Sequence, residues 1–154
     1  MIKYILLIGL CFGLNSRSYA QPAIYISPGF GLGLDLSGNY LISLKMSIGR
    51  IVFPYYANVT IGYSRFFSRA TGEYKKSRLF VEPQIGDIKG IGGAGAGISI
   101  PLEGSNEYPS LRFTCFGGFI AFMNSTILLS DTVQYEFKGE IVLPIPIYQV
   151  SKTD

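Results

Sequence analysis

With 154 residues, 48% of them hydrophobic and 15% charged, the chain is one domain of intermediate polarity, too charged for a bundle of membrane-spanning helices and too apolar for an ordinary soluble domain. Its formal charge is +3, and removing Lys3 and Arg17 with the leader described below leaves eleven basic residues against ten acidic ones, so net charge recruits neither nucleic acid nor an anionic membrane surface. Glycine (19), tyrosine (11) and phenylalanine (11) are abundant while tryptophan and histidine are absent, a bias towards strands and turns.

Residues 1–20 read as a cleavable signal peptide. Lys3 supplies the positive start, residues 4–14 (YILLIGLCFGL) the apolar core, and Ser18-Tyr19-Ala20 the small residues before Gln21. The apolar run is too short to anchor the chain as a spanning helix. Cys11 raises a lipoprotein alternative, which the bulky Leu10 before it disfavours. Residues 21–154 then form one domain in which Cys115 is the lone thiol, so no internal disulfide framework holds it.

Along this domain the dominant signal is period two, broken by turn clusters roughly every sixteen residues. Ile24, Ile26, Phe30, Leu32, Leu34 and Leu36 alternate with Tyr25, Ser27, Gly29, Gly31, Gly33 and Asp35. After Ser37-Gly38-Asn39, the set Tyr40, Ile42, Leu44, Met46 and Ile48 alternates with Ser43, Lys45, Ser47 and Gly49. Phe53-Pro54 breaks the pattern before Ala57, Val59, Ile61 and Tyr63 alternate with Asn58, Thr60, Gly62 and Ser64. A polar loop is expected over residues 68–77. A fourth strand sets Leu79, Val81 and Ile85 against Arg78, Glu82, Gln84 and Gly86, and a turn follows at residues 87–90. The fifth sets Ala94, Ala96, Ile98 and Ile100 against Gly93, Gly95, Gly97 and Ser99. Beyond a loop at 103–110, Leu111, Phe113, Cys115, Gly117, Phe119 and Ala121 oppose Arg112, Thr114 and Gly118. A turn near Met123-Asn124 precedes a short seventh strand at about 125–129 of unread parity. The eighth sets Val133, Tyr135, Phe137, Ile141 and Leu143 against Gln134, Glu136, Lys138 and Glu140.

Eight strands with one greasy face close either as a soluble calyx, greasy side inward, or as a membrane barrel, greasy side outward. The polar face is rich in bare glycine where a solvated surface would carry charge, which favours a crowded interior. Aromatic residues fall near strand ends, as two interfacial girdles require: Tyr25, Phe53, Tyr55, Tyr56, Phe122 and Tyr148 at one edge, Tyr40, Phe66, Phe67, Tyr108, Phe113 and Tyr135 at the other. A rival, one helix across the uncharged residues 113–130, is weakened by Gly117-Gly118 and Asn124-Ser125-Thr126. The signal, the alternation and segments such as Tyr25-Ile26-Ser27-Pro28-Gly29 and Gly139-Glu140-Ile141-Val142-Leu143-Pro144-Ile145 resemble the small eight-stranded outer-membrane β-barrel proteins of Gram-negative bacteria, the OmpA/OmpX-like class. That resemblance implies an all-β, eight-stranded antiparallel up-and-down transmembrane barrel over residues 21–154. It also implies outer-membrane lipids and the barrel-assembly machinery as partners. The chain departs from the class in running on to Ser151-Lys152-Thr153-Asp154 instead of ending on an aromatic residue.

The search for chemistry is negative in an informative way. Without histidine there is no Ser-His or Asp-His catalysis and no histidine zinc site. The run Gly92-Gly93-Ala94-Gly95-Ala96-Gly97 lacks the Lys-Ser/Thr of a phosphate loop and reads as close-packed strand glycines. No catalytic, cofactor or metal residue is assigned, and a non-enzymatic role is expected. The informative constellation is charge on the inward parity: Asp35, Lys45, Arg78, Glu82, Arg112, Glu136, Lys138 and Glu140, four of each sign. An eight-stranded barrel is only wide enough to be filled by side chains, so these charges are expected to pair as a structural network. The expected role is structural, surface-interacting or as a subunit with an envelope protein partner. The alternatives are a soluble periplasmic or secreted barrel for a lipophilic ligand, and a narrow pore for small solutes. Intact-mass analysis of the exported protein is expected to find Gln21 first; a mature chain starting at a diacylated Cys11 would refute this cleavage.

Overall fold

The structure, a computed structural model, describes residues 23–88, 92–102, 108–118 and 121–149. The expected signal peptide with Cys11, Lys89-Gly90, most of the loop expected at 103–110, and Phe119 lie outside the described residues. Within them the chain forms β1 (Ala23–Asp35), β2 (Tyr40–Val52), β3 (Tyr55–Phe67), β4 (Tyr74–Asp87), β5 (Gly92–Pro101), β6 (Ser110–Gly118), β7 (Ala121–Leu129), β8 (Val133–Val142) and β9 (Ile145–Gln149). Each strand from β1 to β7 pairs antiparallel with its successor, and β1 pairs on its other side with β8 and β9. The sheet therefore closes into an eight-stranded up-and-down barrel, with no helix among the described residues.

β8 and β9 are two halves of the last strand. Residues 136–142 of β8 pair with 29–35 of β1, and β9 pairs with 23–26. At the break the Leu143 N–H still donates to the Pro28 carbonyl at 3.1 Å. Closure leaves no unpaired strand edge along this seam, which an open sheet of this length would expose.

The alternation decides which way each strand faces. In β2, Leu41, Ser43 and Ser47 are buried while Tyr40, Ile42, Leu44, Met46 and Ile48 are exposed on the outer wall. The same phase holds in β1, β3, β4, β5 and β8. The β1–β2 hairpin is locked by its turn: Gly38 has φ 78°, and the Asp35 carboxylate accepts from the Asn39 backbone N–H at 2.9 Å and from Asn39 Nδ2 at 2.7 Å.

Two boundaries differ from the sequence expectation. β4 starts at Tyr74, so residues 74–77 of the loop expected at 68–77 are strand. Met123 and Asn124, expected in a turn, lie inside β7, which faces Phe122, Asn124, Thr126 and Leu128 inward. The reason is that Phe116 and Phe122 point into the barrel and stack, with centroids 6.3 Å apart. Apolar residues on both parities erased the alternation there. Inward aromatics also correct the girdle assignment: Tyr25 and Phe66 are buried in the interior, and Tyr56 stacks inside on Phe116 at 6.4 Å. Outward rings remain at Tyr40, Phe53, Tyr55, Phe113 and Tyr135.

A cross-strand rule organises the interior. Tyr25, Tyr56, Phe80, Phe116 and Phe122 each sit opposite a glycine in the neighbouring strand: Gly49, Gly86, Gly62, Gly93 and Gly118 respectively. A Cβ on Gly62 would overlap the Phe80 ring, and one on Gly93 would come within 2.6 Å of Phe116 Cζ. The Tyr56, Phe80 and Phe116 rings occupy the space their glycines vacate, which is how a narrow barrel holds so many large side chains. Gly62→Leu is expected to destabilise the barrel by about 1–3 kcal/mol. Phe80→Ala on that background is expected to recover part of the loss, since both side chains claim one space. Denaturant titration followed by circular dichroism checks this, and an unshifted Gly62→Leu midpoint refutes it.

Candidate functional site

Among the described residues five apolar side chains are buried, against eighteen polar or charged ones, so the interior of this barrel is its polar core. Its centre is an ion-pair network in two halves. In the first, Glu82 of β4 accepts from Arg112 Nε at 2.7 Å, from the Thr114 hydroxyl at 2.7 Å and from Gln84 Nε2 at 2.6 Å. Arg112 continues to Glu136 through Nη1 at 3.4 Å and to the Thr126 hydroxyl through Nη2 at 3.3 Å. Arg78 closes this half, with Nη1 4.0 Å from Glu136 and Nη2 donating to Gln134 Oε1 at 3.0 Å. In the second half Glu140 of β8 is held by Lys45 of β2 and by Lys138 Nζ at 3.2 Å.

Register explains how partners on non-adjacent strands meet. Glu82 belongs to β4 and Arg112 to β6, with β5 between them. The inward residues of β5 below Ser99 are Gly93, Gly95 and Gly97, and a Cβ on Gly95 would stand 2.6 Å from Glu82 Oε1. On the far side of the barrel Lys45 and Glu140 flank β1, whose inward residues there are Gly29, Gly31 and Gly33. A Cβ on Gly29 would lie 2.9 Å from Lys45 Cε, and one on Gly31 2.7 Å from Glu140 Cγ. Both glycine rows are floors across which a salt bridge lies.

Phe80 sits between the halves, with Arg112 Cζ 4.2 Å and Lys138 Nζ 5.5 Å from its ring centroid. Cations over an aromatic face recover part of the stabilisation they lose on leaving water. Towards the β1–β2 turn, Phe66 carries Lys76 Nζ at 5.2 Å and Arg78 Cζ at 5.7 Å. A neutral chain lines the wall of β1–β3: Asn58 Nδ2 donates to the Tyr25 hydroxyl at 3.0 Å, Thr60 donates to Asn58 Oδ1 at 3.1 Å, and Ser47 and Thr60 share a 2.7 Å bond.

Of the eight charges singled out in the sequence, Lys45, Arg78, Glu82, Arg112, Glu136, Lys138 and Glu140 come together here. Asp35 does not: its carboxylate is engaged with Asn39 in the β1–β2 turn, at the rim. Phe80, Thr114, Thr126 and Gln134 were not singled out, although the parity that selected Arg78 and Glu82 also places Phe80 inward. No group of three or more His, Cys, Asp or Glu residues that could hold a metal ion occurs among the described residues.

Part of the outer wall is lined by small side chains. Ala94, Cys115 and Ser125 stand in one register row across β5–β7, ending at Phe137 of β8. Cys115, Ser125 and Phe137, together with Met123, border a shallow depression of about 310 Å³.

The fold and this interior define a class, a closed antiparallel barrel with a charge-paired core. No protein-family model, curated protein or solved structure matches the chain. Glu82→Gln is expected to cost about 3–5 kcal/mol, because it leaves Arg112 buried with only part of its charge answered. Asp35→Asn is expected to cost about 1 kcal/mol or less, the scale of one turn hydrogen bond. Urea midpoints of the two variants check the contrast, and equal losses would refute the division between network and rim.

Proposed function

We propose that this protein is a non-enzymatic outer-membrane β-barrel, exported behind a cleaved signal peptide, whose role is structural or exerted through its outer surfaces. The observation that carries the reading is inversion. Leu44, Ile48, Ile61, Ile85 and Ile141 are each 56–62% exposed on the outer wall, while Glu82, Glu136, Lys138 and Glu140 are at most 2% exposed within. In water that arrangement forfeits the hydrophobic contribution to folding; in a bilayer it is the favourable one. Dimensions agree. Ten residues at about 3.3 Å each, tilted by about 40°, rise roughly 25 Å, the height of a membrane barrel's apolar band, and β5 and β8 are ten residues long.

A soluble calyx for a lipophilic ligand needs an apolar cavity, and the interior here is filled by paired charges and rings set against glycines. A pore needs an open path, and Phe80 with its two cations stands across the middle. Function is therefore assigned to the loops and the outer wall, with outer-membrane lipids and the assembly machinery as partners. The depression at Cys115, Met123 and Ser125 favours a second reading, a subunit seated against an envelope protein, because small residues let another backbone approach closely.

Arginine at Leu44 or Ile61 is expected to cost roughly 2–4 kcal/mol, and at Tyr40, beside the turn, at most about 1 kcal/mol. Folding titrations into neutral vesicles check the order. Equal tolerance at all three sites would point to a soluble fold. Wild-type protein in planar bilayers is expected to show no large, stable channels.

A further inference from the structure

Net charge does not attract this chain to anionic surfaces, but its exposed cations are not evenly spread. The β3–β4 hairpin, residues 65–78, carries Arg65, Arg69, Lys75, Lys76 and Arg78 and one carboxylate, Glu73. Arg78 and Lys76 reach Gln134 inside the barrel. Arg65, Arg69 and Lys75 are exposed. At the opposite end of the barrel the exposed cation among the described residues is Arg50.

Arg65 is placed with unusual definition for a surface residue. The outward row Tyr40–Phe67–Tyr74 crosses β2, β3 and β4 at the rim, and Arg65 stands one row nearer the apolar belt, opposite Ile42 and Ser77. Its side chain runs back over the rings, with Cζ 4.7 Å from the Tyr74 centroid and 5.5 Å from that of Phe67. Tyr74 is itself tied down, its hydroxyl donating to Ser77 Oγ at 3.1 Å. A guanidinium stacked on rings keeps its N–H edge available, and that edge is a bidentate match for phosphate. Arg69 lies against the neighbouring turn, its Cδ 3.9 Å from where a Cβ on Gly38 would be, and Lys75 follows Tyr74 directly. Glu73 is engaged with Thr71, whose hydroxyl donates to Glu73 Oε2 at 3.2 Å.

We propose that Arg65, Arg69 and Lys75 form a binding site for the phosphate group of an anionic lipid in the leaflet that meets the β3–β4 hairpin. The occupant follows from position and charge together. The cations sit at the edge of an apolar wall, beside aromatic rings suited to an interface, where a bound molecule has its tail along Ile42, Leu44 and Leu79 and its phosphate at the rim. This inference rests on the membrane reading above.

The test uses the full mature chain folded into vesicles of phosphatidylcholine, alone or in equimolar mixture with phosphatidic acid. Insertion is scored first, by heat-modifiable migration. Native mass spectrometry from mild detergent then counts retained phosphatidic acid. Wild type is expected to retain it over phosphatidylcholine, and Arg65→Gln/Arg69→Gln/Lys75→Gln to lose that preference by at least about fivefold, the effect of one surface cation on an anionic headgroup. Arg50→Gln is expected to match wild type. Arg69→Gln/Lys75→Gln, which leaves the stacked Arg65 in place, covers the case in which the triple variant does not insert, and is expected to show a smaller loss. Failure of wild type to insert into neutral vesicles overturns the membrane reading and this inference with it. Insertion with equal retention by wild type and variants overturns the lipid site alone. A wild-type preference fully reproduced by inorganic phosphate assigns the cations to a soluble anion and likewise overturns the lipid site.

Discussion

Buried charge is the constraint on which the rest of this barrel depends. Seven charged side chains occupy an interior too narrow for bulk water; Lys138 meets Glu140 on its own strand, but Glu82 and Arg112, and Lys45 and Glu140, must pair across a strand that lies between them. The glycine rows of β1 and β5 make that possible. They sit on opposite sides of the closed sheet, and each gives up its inward side chains so that a carboxylate and a cation from the flanking strands can meet above it: Glu82 and Arg112 over β5, Lys45 and Glu140 over β1. An alanine at Gly95 or Gly31 would put a methyl group where the Glu82 carboxylate or the Glu140 Cγ lies. Glycine in a strand weakens it in isolation. Here that weakness is the condition for a satisfied core.

The same economy of space governs the rings. Five inward aromatics each face a glycine across the ladder, and they are layered by height. Tyr25, Tyr56, Phe116 and Phe122 fill the end at which β1 starts and β9 finishes, Phe80 lies at the level of the ion pairs, and Phe66, with Leu41 and Leu128, fills the end with the β1–β2 turn. The charges are thus enclosed between apolar layers. Low local polarity strengthens each pair and raises the cost of losing one partner. Arg112, which answers Glu82, Glu136 and Thr126 at once, is the residue on which most of that satisfaction converges.

Strand parity was legible in the sequence because a closed sheet with unlike faces imposes period two, and β1 to β5 and β8 kept it. It failed where the interior itself turns apolar: around Phe116 and Phe122 both parities are greasy, so the β6–β7 boundary was misplaced. Aromatics near strand ends were assigned to girdles for the same reason, since Tyr25, Tyr56 and Phe66 have the composition of an interface and the parity of an interior. Parity also selects a face without fixing height. It grouped Asp35 with the network, although Asp35 lies at the last inward position before the turn and its oxygens are taken by Asn39. Nor does it reveal which cation meets which carboxylate, because strand stagger, not sequence, brings Lys45 of β2 to Glu140 of β8.

A crosslinked interior restricts what such a barrel can do. Opening a path along the axis requires moving Phe80, and that ring is wedged over Gly62 and flanked by Arg112 and Lys138, whose own partners would be stripped in the same motion. Several paired charges would have to be separated together, which makes gating through the core far more costly than any change at the surface. The carboxylates are tied in the same way: Glu82 is held by three donors and Glu140 by two lysines. On the function proposed above, new interactions fall to the outer wall and the loops. Those are where the chain breaks its own pattern, with Arg65 set into an aromatic row and with small residues denting the wall at Cys115 and Ser125.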